Sequence, residues 1–264
     1  MDNNWVQWTG IPLTLHASQP LTHVVSRKLK MKIKLIFDYC FKMIGGEDNH
    51  DIYWYLHERP KTITRKSFFE SATWAIWVAG IARKSAKKFL NWAKEAGFSW
   101  SYNEIASQSK QSWNKFLRKL HNPLRPRAEG KWNAVRKIAK KLKTYKDDKE
   151  FRGDFFAGKY YSKDLDMSDG DRLKRMNLPY IGPANAQFII RNMGGEVIKC
   201  DRWLKEFLNF YNIDIKQSSE NLRKENIPEG LFDIVVWAYC ERYISDTSAF
   251  KKHFRKLPLT MRCT

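Results

Sequence analysis

The chain is predicted to be all-α on three observations. Apolar residues recur every three or four positions along most of its length, glycine and proline punctuate these stretches at helix-length intervals, and no alternating strand pattern of useful length precedes Ile190. Its 264 residues are 43% hydrophobic and 14% aromatic, enough for one sizeable core or two interlocked lobes.

The elements follow in order. From about Ser26 to Ile44, Leu29, Ile33, Ile36, Phe37, Cys40, Phe41 and Ile44 keep helical spacing until Gly45 and Gly46 stop it. A second helix spans Lys66 to Ala79, with Phe68, Phe69, Ala72, Ala75 and Ile76 on its apolar positions, and enters a turn at Gly80. A third runs from about Ala82 to Ala96, with Gly97 as its cap. Residues 102–107, 112–120 and 130–145 are expected to be helical, the last through Trp132, Val135, Ile138, Ala139 and Leu142. Pro123 and Pro126, with Arg125 and Arg127, predict a stiff basic loop, and residues 147–168 an irregular connection. Helices over 203–212 and 231–243 complete a set of roughly ten.

Charge narrows the partner. Lys and Arg number 48 against 28 Asp and Glu, a formal net charge of +20, so the expected partner is a polyanion. No apolar run of about 18 residues occurs and the first 30 residues hold no signal-peptide core, so a soluble intracellular protein is expected, with nucleic acid ahead of membrane. Between Lys110 and Lys149 stand fourteen Lys or Arg residues against Glu129, Asp147 and Asp148, interleaved with Trp113, Phe116 and Trp132. That pattern predicts a phosphate-tracking surface over a merely solvated helix face.

Cys40, Cys200, Cys240 and Cys263 are too scattered for a zinc or iron-sulfur site, and the six histidines show no paired metal spacing. Reduced, mostly buried thiols and no bound metal are expected.

The most specific stretch lies between Ser168 and Ile190. Ser168 or Asp169 suits the cap of one helix, Pro179 stiffens a short turn, Gly182 permits close backbone approach, and Pro183 takes the first position of the next helix. Amides around Tyr180, Ile181 and Gly182, with the positive end of that helix, then form a phosphate site that needs no charged side chain. Beyond Gly194 and Gly195 comes a short extended piece, Val197-Ile198-Lys199-Cys200, and Asp201 opens another helix. A proline-glycine turn also occurs in helical proteins with no DNA function, and aspartate is an ordinary helix cap. Capping would fix the Asp201 side chain while leaving one oxygen free.

With Leu178, Pro179, Ile181, Gly182, Ala186 and Asp201 in register, the chain resembles the helix-hairpin-helix DNA glycosylase superfamily over about residues 66–212. The resemblance implies two helical lobes flanking a DNA-binding cleft, with the target nucleotide flipped from the stack. It divides the chain into an N-terminal segment, 1–64, contributing to the second lobe; a helical barrel lobe, 65–193, ending in the hairpin 168–193; and C-terminal helices, 194–264, completing the second lobe. It also implies a catalytic carboxylate at Asp201, stabilising the sugar cation or activating water. DNA-backbone contacts are expected from Tyr180, Ile181, Gly182, Ala184, Arg125, Arg127 and Lys131. Trp77, Trp74 and Ile81 are expected at the base pocket or as a wedge, Trp77 first, against a core role as the alternative.

Two departures narrow the chemistry. Where bifunctional members carry a nucleophilic lysine, this chain has Ala184, so a monofunctional enzyme using water is expected, without Schiff-base chemistry from that helix. Tyr180 stands where the family usually has glycine. The resemblance therefore implies a DNA repair enzyme of base excision, acting as a DNA-associated monomer on double-stranded DNA. No cofactor is expected, the one compatible ion being a monovalent cation at the hairpin. Two other readings stand beside it: a phage-type enzyme of this fold processing hypermodified thymine, and a non-catalytic hairpin DNA-binding protein.

Overall fold

Short polar side chains set where the helices start. In the computed structural model, which describes residues 33–81, 83–120, 126–199, 201–210 and 213–244, the side chains of Asn49, Thr64, Ser101, Ser109, Asp147 and Asp166 each accept a backbone N–H of the helix that follows. Among the described residues every regular element is helical, and the extended pairing is one antiparallel bridge between Thr62 and Tyr161. The fold is all-α.

Helix α1 covers residues 33–43; its predicted start near Ser26 lies outside the described residues. It is followed by α2 (His50–Tyr53), which continues as one wide turn over Trp54–Glu58, then by α3 (Arg65–Val78) and α4 (Arg83–Glu95). Next come α5 (Tyr102–Ser107), α6 (Lys110–Lys119), α7 (Pro126–Lys143) and α8 (Asp148–Phe156). The hairpin is α9 (Met167–Arg175) and α10 (Pro183–Asn192), and α11 (Arg202–Phe210), α12 (Ile215–Lys224) and α13 (Glu229–Tyr243) close the chain.

Four expectations need correction. Pro126 starts α7 instead of ending a loop, because a proline's missing N–H costs nothing in the first helical turn. The stretch after Asp147 is the helix α8: Asp147 caps it, Asp148 and Glu150 suit its positive end, and Phe151, Phe155 and Phe156 bury one face. The cap of α9 is Asp166, in a reciprocal capping box with Asp169, and not Ser168 or Asp169 itself. Residues 50–58 and α12 add helix where none was expected.

Packing divides into two hydrophobic clusters. The first joins α3, α7, α9 and α10 with the aromatic faces of α6 and α8; Phe68, for example, sits edge-on to Phe155 with ring centroids 5.0 Å apart. The second gathers α1, Tyr55, α11 and α13 around Phe207, Phe232 and Tyr239. Polar ties cross between them. Arg191 of α10 pairs with Asp233 of α13, both buried. Glu196 accepts from Tyr55 and Arg59, each at 2.8 Å, and from the Gly230 amide at 3.3 Å. Gly230 cannot enlarge, since a Cβ there would lie 2.5 Å from the Tyr55 hydroxyl.

Cys40 and Cys240 are buried free thiols, and burial pushes the Cys40 thiol far above its ordinary value; Cys200 and Cys263 lie outside the described residues. No helix among the described residues is long and apolar enough to cross a membrane.

Candidate active site

A cavity of about 1030 Å³ is lined from both clusters. One wall comes from the end of α3 and its glycine turn, with Trp74, Gly80 and Ile81; another from α10, with Ala184, Phe188 and Arg191. Lys199, Asp201, Arg202 and Trp203 follow, and α13 contributes Trp237 and Glu241.

Asp201 is held on both oxygens. Its Oδ1 accepts the Leu204 amide at 3.0 Å, which caps α11, and its Oδ2 meets the Lys199 ammonium at 2.7 Å. The expectation of a free second oxygen is therefore wrong: the Asp201 amide donates to the Lys199 carbonyl at 2.7 Å, and this tight turn brings the two side chains together. Both remain partly accessible, at 14% for Lys199 and 18% for Asp201. The Lys199 ammonium also lies 4.5 Å from the Phe188 ring centroid, whose ring Arg191 contacts at 4.6 Å.

The same cavity holds a second charged group. Arg83 pairs with Asp51, has Glu241 at 3.9 Å, and lies over the Trp237 ring at 5.4 Å. Burial raises the Asp51 carboxyl, but the hydrogen bonds and charge of Arg83 outweigh it and leave it below its ordinary value. At Glu241 burial prevails over Arg83 and the carboxyl is raised.

The predicted site residues therefore separate. Asp201, Trp74, Ile81 and Ala184 are brought together on the cavity, Ile81 as an exposed side chain at 36% and not as core. Trp77 is not there: it is 1% exposed and packed on Phe89 and Trp132 inside the first cluster. Lys131 is corrected likewise. Its ammonium points inward, donating to the Trp77 and Ala79 carbonyls at 3.0 and 2.6 Å, and burial pulls it down to about 8, so it cannot reach a phosphate. Arg125 lies outside the described residues, as does the side chain of Arg127.

In the hairpin, Gly182 is exposed and caps α10 without a side-chain hydrogen bond, and Pro183, which has no N–H, begins the helix. Ile181 is buried and its amide donates to the Leu178 carbonyl at 3.1 Å, which removes it from the outward-facing donors. Tyr180 is 45% exposed with φ of +63°, the left-handed conformation that favours glycine. Asn185 locks that turn by donating to the Tyr180 carbonyl at 2.7 Å. The Leu178 and Tyr180 carbonyls each accept a hydrogen bond within the fold, a poor fit to a bound monovalent cation.

Lys199, Phe188, Arg191, Arg83 and Glu241 were not anticipated. Lys199 carried no clear signal, because it is the tight turn between Lys199 and Asp201 that brings the two side chains together. The Arg83 group carried none either, since its members come from α2, α4 and α13.

No protein-family model matches the chain, and no curated protein matches it. Two solved structures align with it at low similarity. One is the 8-oxoguanine DNA glycosylase of Methanocaldococcus jannaschii, 16% identical, covering 84% of this chain and 94% of that one with a TM-score of 0.43. The other is that organism's 8-oxoguanine glycosylase/lyase in complex with 15mer DNA containing 8-oxoguanine, 15% identical, covering 84% and 100%, again with a TM-score of 0.43. At this degree of likeness a functional reading rests on the cavity itself.

Proposed function

We propose that this protein is a DNA glycosylase that hydrolyses the N-glycosidic bond of a damaged, mismatched or modified base flipped out of duplex DNA. The observation that carries the reading is Asp201, a carboxylate fixed at a helix start within a cavity walled by aromatic side chains. Breaking the bond from base to sugar places positive charge on the sugar, and a carboxylate held in place beforehand stabilises that cation or orients the attacking water. Trp74, Trp203 and Trp237 line the cavity and supply aromatic surface for a flipped base, and Ile81 suits a wedge in the space the base leaves. The start of α10, at the exposed Gly182, suits a phosphate. Ala184 puts no amine on α10, so water breaks the glycosidic bond.

A second reading keeps the cavity and changes the substrate: a base with a bulky substituent, such as a hypermodified thymine, would be released through the same carboxylate, Asp201.

The test is a panel of duplexes carrying damaged, mismatched or modified bases, incubated with the protein and treated with alkali to cut wherever a base is gone. Asp201→Asn should lower base release by about 10²–10³-fold while duplex binding persists. Unchanged release in that variant would remove Asp201 from the mechanism, and tight binding with no release from any duplex would favour a non-catalytic binding protein.

A further inference from the structure

We propose that Lys199 is a second reactive residue of this cavity, an amine that condenses with the abasic sugar and cuts the strand. The proposal rests on the reading of the cavity as a base-excision site, and adds a step to the single hydrolysis expected from Ala184.

Three observations converge on Lys199. It lines the cavity, its ammonium is 2.7 Å from the Asp201 carboxylate, and its side chain retains 14% exposure, enough to meet a ligand. Ala184, on the same cavity, puts no amine on the α10 wall. Finally, the ammonium meets the Asp201 carboxylate and an aromatic face and no backbone carbonyl among the contacts described, while its charge also acts on the buried Asp233. Lys131 is the contrast, fastened to two carbonyls and removed from the cavity.

The chemistry follows from that pairing. Hydrolysis leaves a sugar whose open form carries an aldehyde at C1′. Asp201 takes a proton from the Lys199 ammonium, the freed amine adds to C1′, and Asp201 returns the proton to the hydroxyl, which leaves as water; ammonium and aldehyde thus become a protonated imine and water. The imine draws electrons toward C1′, so the C2′ proton departs to solvent, a C2′–C3′ double bond forms, and the C3′–O bond breaks with the phosphate as leaving group. Water then hydrolyses the imine and restores the lysine. No oxidant, reductant or cofactor is consumed.

The test supplies the abasic site ready-made in a labelled duplex, so it does not depend on base release. Wild-type protein with borohydride should give a covalent protein-DNA adduct, and without borohydride a strand cut at the site. Both should fall by about tenfold or more in Lys199→Ala. Lys199→Arg, which keeps the ion pair with Asp201 but has no amine able to form the imine, should retain the melting temperature and lose the adduct. Proteolysis and mass measurement of the wild-type adduct should place the sugar on the peptide containing Lys199. An adduct mapped to another lysine would overturn the proposal, as would no adduct from protein shown by anisotropy to bind the duplex. Base release from the duplex panel with no adduct at Lys199 rejects this step alone. No release from any duplex rejects the underlying reading instead.

Discussion

The Lys131 ammonium closes the end of α3 from inside, 2.6 Å from the Ala79 carbonyl oxygen and just before the glycine turn that borders the cavity. Burial holds its folded value at about 8, against 10.5 for the free side chain. Below pH 8 both folded and unfolded chains carry the proton and the burial cost is fully present. Between about 8 and 10.5 the unfolded chain holds more protons than the folded one, so stability should rise with pH, by at most about 3.5 kcal/mol at roughly 1.4 kcal/mol per unit. Denaturant melts across that window should show the rise in the wild type and a flatter curve in Lys131→Met. Equal slopes in the two proteins would refute it.

The two tryptophans of α3 should separate pocket from core. Trp77 is fully buried between Phe89 and Trp132, so Trp77→Ala should cost about 3–5 kcal/mol of stability. Trp74 is half-buried on the cavity, and Trp74→Ala should cost less stability while weakening base release or duplex binding, by about 1–3 kcal/mol if a base stacks on it. Thermal melts beside an alkali cleavage assay decide it: a Trp74→Ala protein with wild-type release would take Trp74 out of the site.

Why Trp77 and Trp74 were not distinguishable beforehand is a matter of periodicity. Helix α3 buries Phe68, Phe69, Ala72, Thr73, Ala75, Ile76 and Trp77, so apolar residues surround most of it and spacing does not rank one face above another. Asp201 was legible because a helix-capping residue falls where the family resemblance expects a carboxylate. Lys131 was misread because a lysine count registers charge and not direction; its ammonium turns inward only because α3 ends beside α7. The Arg83, Asp51 and Glu241 group depends wholly on tertiary structure. At Tyr180 the sequence showed an unexpected residue, and the structure shows its consequence, a left-handed backbone at a position other than the glycine of the turn.

The basic run supplies the last prediction, because the fold splits it. Helix α7 has eighteen residues and so spans about 27 Å. Its first turns lie at the hairpin, where a Cβ on Gly130 would be 2.7 Å from the Tyr180 hydroxyl, while its far end meets α8, where Lys141 is 3.7 Å from Asp154. Lys143 at that end donates to Ser107, away from the residues that line the cavity. Arg202, by contrast, is exposed on the cavity at the start of α11. If DNA crosses the cavity, Arg202→Ala should lower the slope of log affinity against log salt by about one, the amount for one lost phosphate contact, and Lys143→Ala should change it much less. Anisotropy titrations of one duplex at several salt concentrations measure both slopes. A larger loss from Lys143→Ala than from Arg202→Ala would move the DNA path from the cavity to the far end of α7.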